Sequence, residues 1–278
     1  MKMKWIEYRY LEFKSVLTKE FLIMSRYPLA FAFFVFLPYM VAGVFYGMGE
    51  LLAGPQALLI FKNRTGVEDF LSFNVIGGSI MMISIVILQM THMTIKAELR
   101  NGTLELNLVS PASRFVIFFA VTTILSLASF GIFVAATTPL LLTAKEVNLF
   151  DYMLALIVLA VGVLPVTGIS FFIIALTLKF KEVTSLVNAL NSAISTLSGV
   201  AYPITVLPGW LKLVSQLLPT SHTIELIRKI LMAHQRTLLA FPELWYLAAM
   251  CFIYPFLGYS IFRIIEKRGR ITGEIYLY

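Results

Sequence analysis

The chain has 278 residues, of which 59% are hydrophobic and 13% charged, and its net charge is +7. Soluble domains hold about a quarter of their residues as charged groups, so this composition excludes a water-soluble globular domain and leaves one membrane domain without room for a large soluble one. The single cysteine, Cys251, excludes an internal disulfide framework and reads as a small buried hydrophobe in an apolar run.

The first 26 residues are too polar and too mixed in charge to be the apolar region of a signal peptide. Ile6, Tyr10, Phe13, Leu17, Phe21 and Met24 recur at spacings of three and four, with Arg9, Glu12, Lys19 and Arg26 largely elsewhere. That period predicts an amphipathic helix over residues 1–27, lying along the membrane surface before the first span.

A membrane-crossing helix needs roughly 20 mostly apolar residues. Six stretches qualify: Pro28–Gly47, Phe70–Met90, Phe115–Ala144, Tyr152–Leu178, Val183–Tyr202 and Leu244–Phe262, none with an Asp, Glu, Lys or Arg. Pro38, Pro165 and Pro255 fall inside spans, where kinks are tolerated if neighbours satisfy the freed carbonyls. The fifth boundary is the weakest, because the charge-free run continues past Pro203 to Leu211. The expectation is an all-α integral membrane fold with six transmembrane helices.

With both termini inside, the inner segments hold 15 of the 22 Lys and Arg residues. The excess belongs on the cytoplasmic side, so both ends are expected to be cytoplasmic. The positive balance is then a topological signal facing anionic lipid, with no basic patch of the kind that binds nucleic acid.

Between the second and third spans, on the cytoplasmic side, Glu98, Arg100, Asn101 and Gly102 lead into Thr103 and Glu105, then Ser110, Pro111 and Arg114. Asn101-Gly102 is a turn signal, Thr103 can cap a short helix running through Val109, and Ser110-Pro111 ends it. A short helix held rigidly between two spans is a lever suited to receiving motion from a soluble partner. Glu98 and Glu105 stand seven residues apart, so an unbroken register would align them, whereas a broken one leaves only Glu105 for contact.

After the fifth span, Pro203, Pro208 and Pro219 cut the chain into short pieces. Trp210, Leu213, Val214 and Leu217 share one face of the first piece. Thr220 or Ser221 can cap the second, with Glu225 near its start and Arg228 and Lys229 near its end. Too short to cross and too apolar for open water, these pieces read as outer re-entrant or interfacial helices. On the fifth span, Asn188, Asn191 or Ser192, Ser195, Ser198 and Tyr202 form a polar stripe, and Asn74, Gly77, Met81 and Ser84 give the second span a mildly polar face. Lining of a translocation path and helix–helix hydrogen bonding are equally compatible with both. Six spans are too few to enclose a pathway alone, and Gly77, Gly78 and Ser84 are small enough for close contact with a second copy.

Enzymatic signatures are missing. There is no G-x-x-x-x-G-K-[ST] phosphate loop, no H-E-x-x-H pair and no G-x-S-x-G elbow, and the histidines (His92, His222, His234) are scattered. The charge-free spans weigh against an ion-coupled secondary transporter, although backbone carbonyls alone can hold an ion, so that class stays the alternative.

The run from Glu98 to Arg114 resembles the cytoplasmic coupling region of the type-2 ABC exporter permeases, and Ser198-Gly with Tyr202-Pro203, Leu207-Pro208, Trp210-Leu211, Pro219-Thr220 and Glu225-x-x-Arg228 resembles their signature between the fifth and sixth spans. The resemblance implies a cell-membrane permease that pairs with itself and with two copies of a separate ABC ATPase, which would bind the ATP and magnesium. This chain would then carry no cofactor and no catalytic residue. It further implies export of a drug-like or lipid molecule, with polysaccharide or lipid-linked glycan export as the alternative within the family.

Overall fold

The computed structural model describes residues 5–67, 69–103, 112–143, 148–180 and 182–272. Among these, every regular element is helical. In chain order they are α1 (Trp5–Ser25), α2 (Pro28–Ala53), α3 (Ala57–Thr65), α4 (Phe70–Arg100, with a π-helical turn at Val86–Met90), α5 (Arg114–Thr143), α6 (Leu149–Phe180), α7 (Thr184–Leu197), α8 (Gly209–Gln216), α9 (Pro219–Leu231) and α10 (Pro242–Thr272). Local chemistry sets several boundaries. Pro28 opens α2 at a position where the missing N–H costs nothing. Asp69 caps α4 by accepting from the Ser72 amide at 3.0 Å.

Helix α4 is the axis. Phe73 through Ser84 are buried without a break, and α2, α5, α6, α7 and α9 all pack on it. A continuous core joins α4 (Ile80, Met82, Leu88) to α6 (Val158, Leu159) and α9 (Ile224, Ile227). A second cluster near the α1 end joins Ile95, Phe118, Phe171, Ile174 and Phe262. The outer surfaces of α2 and α10 are apolar instead: Leu29 is 83% exposed and Phe252 79%. Such surfaces suit hydrocarbon and not water.

Helices α6 and α10 approach so closely that glycine is required on both. A Cβ on Gly168 would lie 2.4 Å from the Pro255 nitrogen, and one on Gly258 would lie 2.1 Å from the Gly168 carbonyl oxygen. Close backbone approach raises dispersion contact between helices where lipid supplies no hydrophobic drive. Gly77 and Gly78 serve the same purpose within the protomer, against Arg228 and Pro38 respectively, and Ser84 is fully buried. The contact with a second copy expected of these three residues is therefore replaced by contacts inside one chain.

Among the described residues, five helices are long and apolar enough to cross a membrane: Pro28–Leu52, Phe70–Arg100, Arg114–Leu140, Leu149–Phe180 and Pro242–Gly269. The expected fifth span, Val183–Tyr202, instead contains a helix of 14 residues. Gly199, at φ +73°, and Pro203, which has no N–H, stop it there. Helices α8 and α9 form a hairpin beside it. The Tyr254 hydroxyl donates to the Leu217 carbonyl at 2.6 Å, and a Cβ on Gly162 would strike Thr223. These contacts put the hairpin tip about 18–20 Å along α10 and α6 from their N-terminal starts, at about 1.5 Å per residue. The cap expected at Thr220 or Ser221 is not used. Pro219 begins α9, and both hydroxyls sit in its first turn, bonded to Ser198 and Ser215.

Gly168→Leu should destabilise the protein by about 1–3 kcal/mol or more, whereas Gly43→Leu, where a Cβ meets nothing within 4 Å, should be near neutral. Thermal midpoints in mild detergent check this; equal midpoints would refute the close packing of α6 on α10.

Candidate functional site

Three arrangements concentrate polar chemistry. The first lies at the end of the bundle that carries α1. Glu12 and Lys19, two helical turns apart on α1, reach the two borders of the 101–113 segment. Lys19 Nζ donates to Glu98 Oε1 at 2.6 Å, and the Ser113 amide approaches Glu12 Oε2 at 3.5 Å. Arg9 Nη1 holds Glu12 at 2.8 Å. Glu98, backed by Glu20, raises the Lys19 pKa against the opposing effect of burial. Arg114 faces Glu266 at 3.7 Å with both side chains buried, tying the start of α5 to α10. Nearby, Lys96 Nζ donates to Glu182 Oε2 at 2.5 Å and holds that carboxyl down at about 2. His92 sits buried between the Thr177 and Thr184 hydroxyls at 3.0 and 2.9 Å.

This geometry changes two expectations. Helix α1 turns Glu12 and Glu20 into the protein and leaves Ile6, Tyr10 and Phe21 outward, as a helix immersed in lipid headgroups would. Glu98 is buried against Lys19, so it does not point to a partner. Helix α4 ends at Arg100, and Gly102 at φ +67° breaks the register beyond it. Arg100, Asn101, Gly102 and Thr103 are all exposed, and the Thr103 hydroxyl returns to the Glu98 carbonyl at 3.3 Å. Glu105, Ser110 and Pro111 lie outside the described residues.

The second arrangement is α7. Ser185, Asn188, Ser192 and Thr196 are exposed and recur at three and four, forming a small, polar outer face. The expected stripe is therefore split. Asn191 turns inward and donates to Gln89 Oε1 on the π-turn at 3.2 Å, and buried Ser198 pairs with Thr220 at 2.6 Å. Tyr202 folds back to donate to the Thr196 carbonyl, and partly buried Ser195 donates to that of Ser192. Asn74 and Ser84 are buried inside the protomer and line no path there. Periodicity alone marked α7 as a helix with a polar stripe. The choice of face depended on how α7 docks on α4, a contact with no signature in sequence.

The third arrangement lies at the opposite end. Arg228 of α9 donates to the carbonyls of Phe73 (3.2 and 2.8 Å), Gly199 (2.7 Å) and Val200, and its guanidinium stacks 3.4 Å from the centre of the Phe73 ring. Burial pushes its pKa down to about 9, with Glu225 opposing, so it stays a cation at neutral pH. Lys229 bridges Glu243 at 2.8 Å and Glu225 at 3.4 Å. Burial pushes the Glu225 carboxyl up, with Glu243 reinforcing and Lys229 opposing. These groups border a cavity of about 390 Å³ with Pro203, Lys212 and His222 on its walls. Trp210 (68% exposed) and Leu213 point away from it on the outer face of α8, and Pro208 precedes that helix. Asp151, fully buried at the start of α6, is gripped by Arg236 at 2.7 and 3.2 Å, an ion pair with no counterpart in the sequence patterns.

No group of three or more His, Cys, Asp or Glu side chains among the described residues is arranged to hold a metal ion. A family model described as ABC-2 type transporter matches residues 11–232, a region ending just before α10. No individual curated protein matches the chain.

Arg228→Lys should destabilise nearly as much as Arg228→Ala, because an ammonium cannot serve three carbonyls in the planar fork of a guanidinium. Hydrogen bonds to a charged group contribute about 1.5–3 kcal/mol. A thermal midpoint for Arg228→Lys equal to wild type would remove Arg228 as the organiser of this end.

Proposed function

The chain belongs to the ABC-2 type transporter family, and on that premise we propose that it is the membrane permease of an ATP-driven exporter, working as two copies with two copies of a separate ABC ATPase. The observation that carries this reading is the outer face of α7. Ser185, Asn188, Ser192 and Thr196 are exposed on the protomer between apolar helices. Polar groups at membrane depth face protein or water rather than lipid. A second copy opposing this face would bury it and enclose a mildly polar route between the protomers. In this reading α7, extended by residues 198–203, serves as the remaining crossing, and the α8–α9 hairpin is re-entrant from the outer side. Both termini are then cytoplasmic, in keeping with the 15 of 22 basic residues on that side, and the location is the cell membrane.

The ATPase supplies the ATP and magnesium chemistry, and this chain receives the motion. The exposed tip Arg100–Thr103 leads the contact, and α1 transmits it because Lys19 and Glu12 grip both borders of the segment. A push on the tip therefore moves α4, α5 and α1 together. A lipid or drug-like substrate suits a route whose polar groups are hydroxyls and amides rather than charges.

Reconstitution with a candidate partner ABC ATPase tests the proposal. Transport should need ATP, stop when that ATPase loses its catalytic residues, and be accompanied by disulfide-linked dimers of Asn188→Cys or Ser192→Cys. Active permease that yields only monomers would reject the paired pathway, and ATP-independent transport would reject the energy source.

Gly102→Val should reduce coupled transport sharply. A left-handed backbone costs a side-chain-bearing residue about 1–2 kcal/mol locally, while a Cβ there meets nothing within 4 Å, so assembly should persist. Coupled ATPase stimulation and thermal midpoint, measured together, distinguish this from unfolding.

A further inference from the structure

A second cavity lies apart from the route proposed on α7. It holds about 740 Å³ and sits between the end of α1, the start of α2, the π-turn of α4 and the middle of α5. Its walls are almost wholly apolar, with Phe31, Phe34, Met90, Leu125, Ala128 and Ile132 among them. From Thr94 to Val86 it runs eight residues along α4, about 12 Å at the helical rise. On the side of the interfacial helix, exposed Phe21, Ser25 and Tyr27 border it and form its mouth, and from there it extends among side chains of α2, α4 and α5. Such a void at membrane depth is filled by hydrocarbon, because water finds too few polar partners there.

The mouth carries the chemistry of a headgroup site. Ser25 and Tyr27 line it, and Arg26 between them is exposed, with no hydrogen bond or ion pair of its side chain among the described residues. The carboxylate at the mouth, Glu20, is 6% exposed and lies 3.0 Å from Lys19 Nζ, which also holds Glu98. Arg26 is thus the one cation beside the mouth not already engaged by a carboxylate among the described residues. A phosphate is the natural partner for such a guanidinium at a membrane surface. We infer that this cavity is a resident phospholipid site: one acyl chain occupies the apolar cleft, and Arg26 meets the phosphate of the same molecule.

The position gives the site a consequence. Val86 and Met90 of the π-turn form part of its wall, while Gln89 of the same turn accepts from Asn191 on α7. An acyl chain in the cleft braces the π-turn from the side opposite α7. The site stands independently of the exporter reading, since it requires only that the chain be in a bilayer.

The probe is a palmitoyl-oleoyl phosphatidylethanolamine added in mild detergent to purified, delipidated protein, with bound lipid counted by native mass spectrometry. Wild type should retain one phospholipid per chain. Ala128→Trp, which fills the cleft, should reduce retention to background. Arg26→Gln, on an exposed side chain that cannot unfold the protein, should weaken retention about fivefold, the equivalent of the about 1 kcal/mol one basic residue contributes near a membrane surface. Phe252→Ala, on the outer face of α10, should leave retention unchanged. Full retention in Ala128→Trp, or equal loss in Phe252→Ala, would identify the lipid as ordinary annular lipid and overturn the site. Loss of the two-copy assembly in Ala128→Trp with Arg26→Gln unaffected would show that a second copy fills the cleft, which also overturns it.

Discussion

Everything at the α9 end of the bundle depends on one buried cation. Backbone carbonyls inside a membrane domain must find donors within the protein. The chain breaks its helix at Gly199, leaving the Gly199 and Val200 carbonyls without helical partners beyond them. Arg228 supplies those donors from α9 and adds two more to Phe73 of α4. A single side chain thereby joins the central helix, the end of α7 and the hairpin. Gly77 makes the junction possible, because a Cβ there would lie 2.4 Å from the guanidinium and 2.5 Å from the Val200 carbonyl oxygen. The short α7, the α8–α9 hairpin and the polar cavity beside Glu225 all follow from this junction.

The α1 end is organised by the opposite sign. Glu12 and Glu20 of α1 and Glu98 of α4 are buried carboxylates, held by Arg9 and Lys19. Exposed ion pairs contribute little, but burying a carboxylate without a partner is costly, so these pairs specify where α1 must lie. The result fixes α1 against Glu98 of α4 and Ser113 at the start of α5. Between the two ends, α4 carries its π-turn where α7 docks on one side and the apolar cleft opens on the other. Turns of this kind concentrate at functional positions because they leave the helical ladder locally adjustable.

Composition and periodicity made much of this legible. Charge-free apolar runs named the five helices that, among the described residues, are long and apolar enough to cross, because a bilayer demands about 20 apolar residues and tolerates few ionisable ones. Pro203, Pro208 and Pro219 marked the broken segment, although the span before it was expected to continue through Gly199 to Tyr202, and the Asn101-Gly102 turn marked the end of α4. Even the pair of motifs that resembled the exporter permeases rested on these local signals, and the family match over residues 11–232 agrees with them.

What periodicity could not supply was direction. A stripe at spacings of three and four identifies a helical face but not its neighbour, so Asn191 and Ser198 looked equivalent to Asn188 until α4 and α9 were packed against them. The buried ion pairs joining Lys19 to Glu98 and Asp151 to Arg236, separated by 79 and 85 residues, have no local pattern at all. Sequence by itself determined the membrane class, the long apolar helices and the proline and Asn-Gly breaks, because those depend on local backbone chemistry and on transfer of each segment into hydrocarbon. The tertiary structure alone decided which polar groups are partnered within the chain and which remain on its surface, because hydrogen bonds and ion pairs between distant segments depend on the packing of helices against one another.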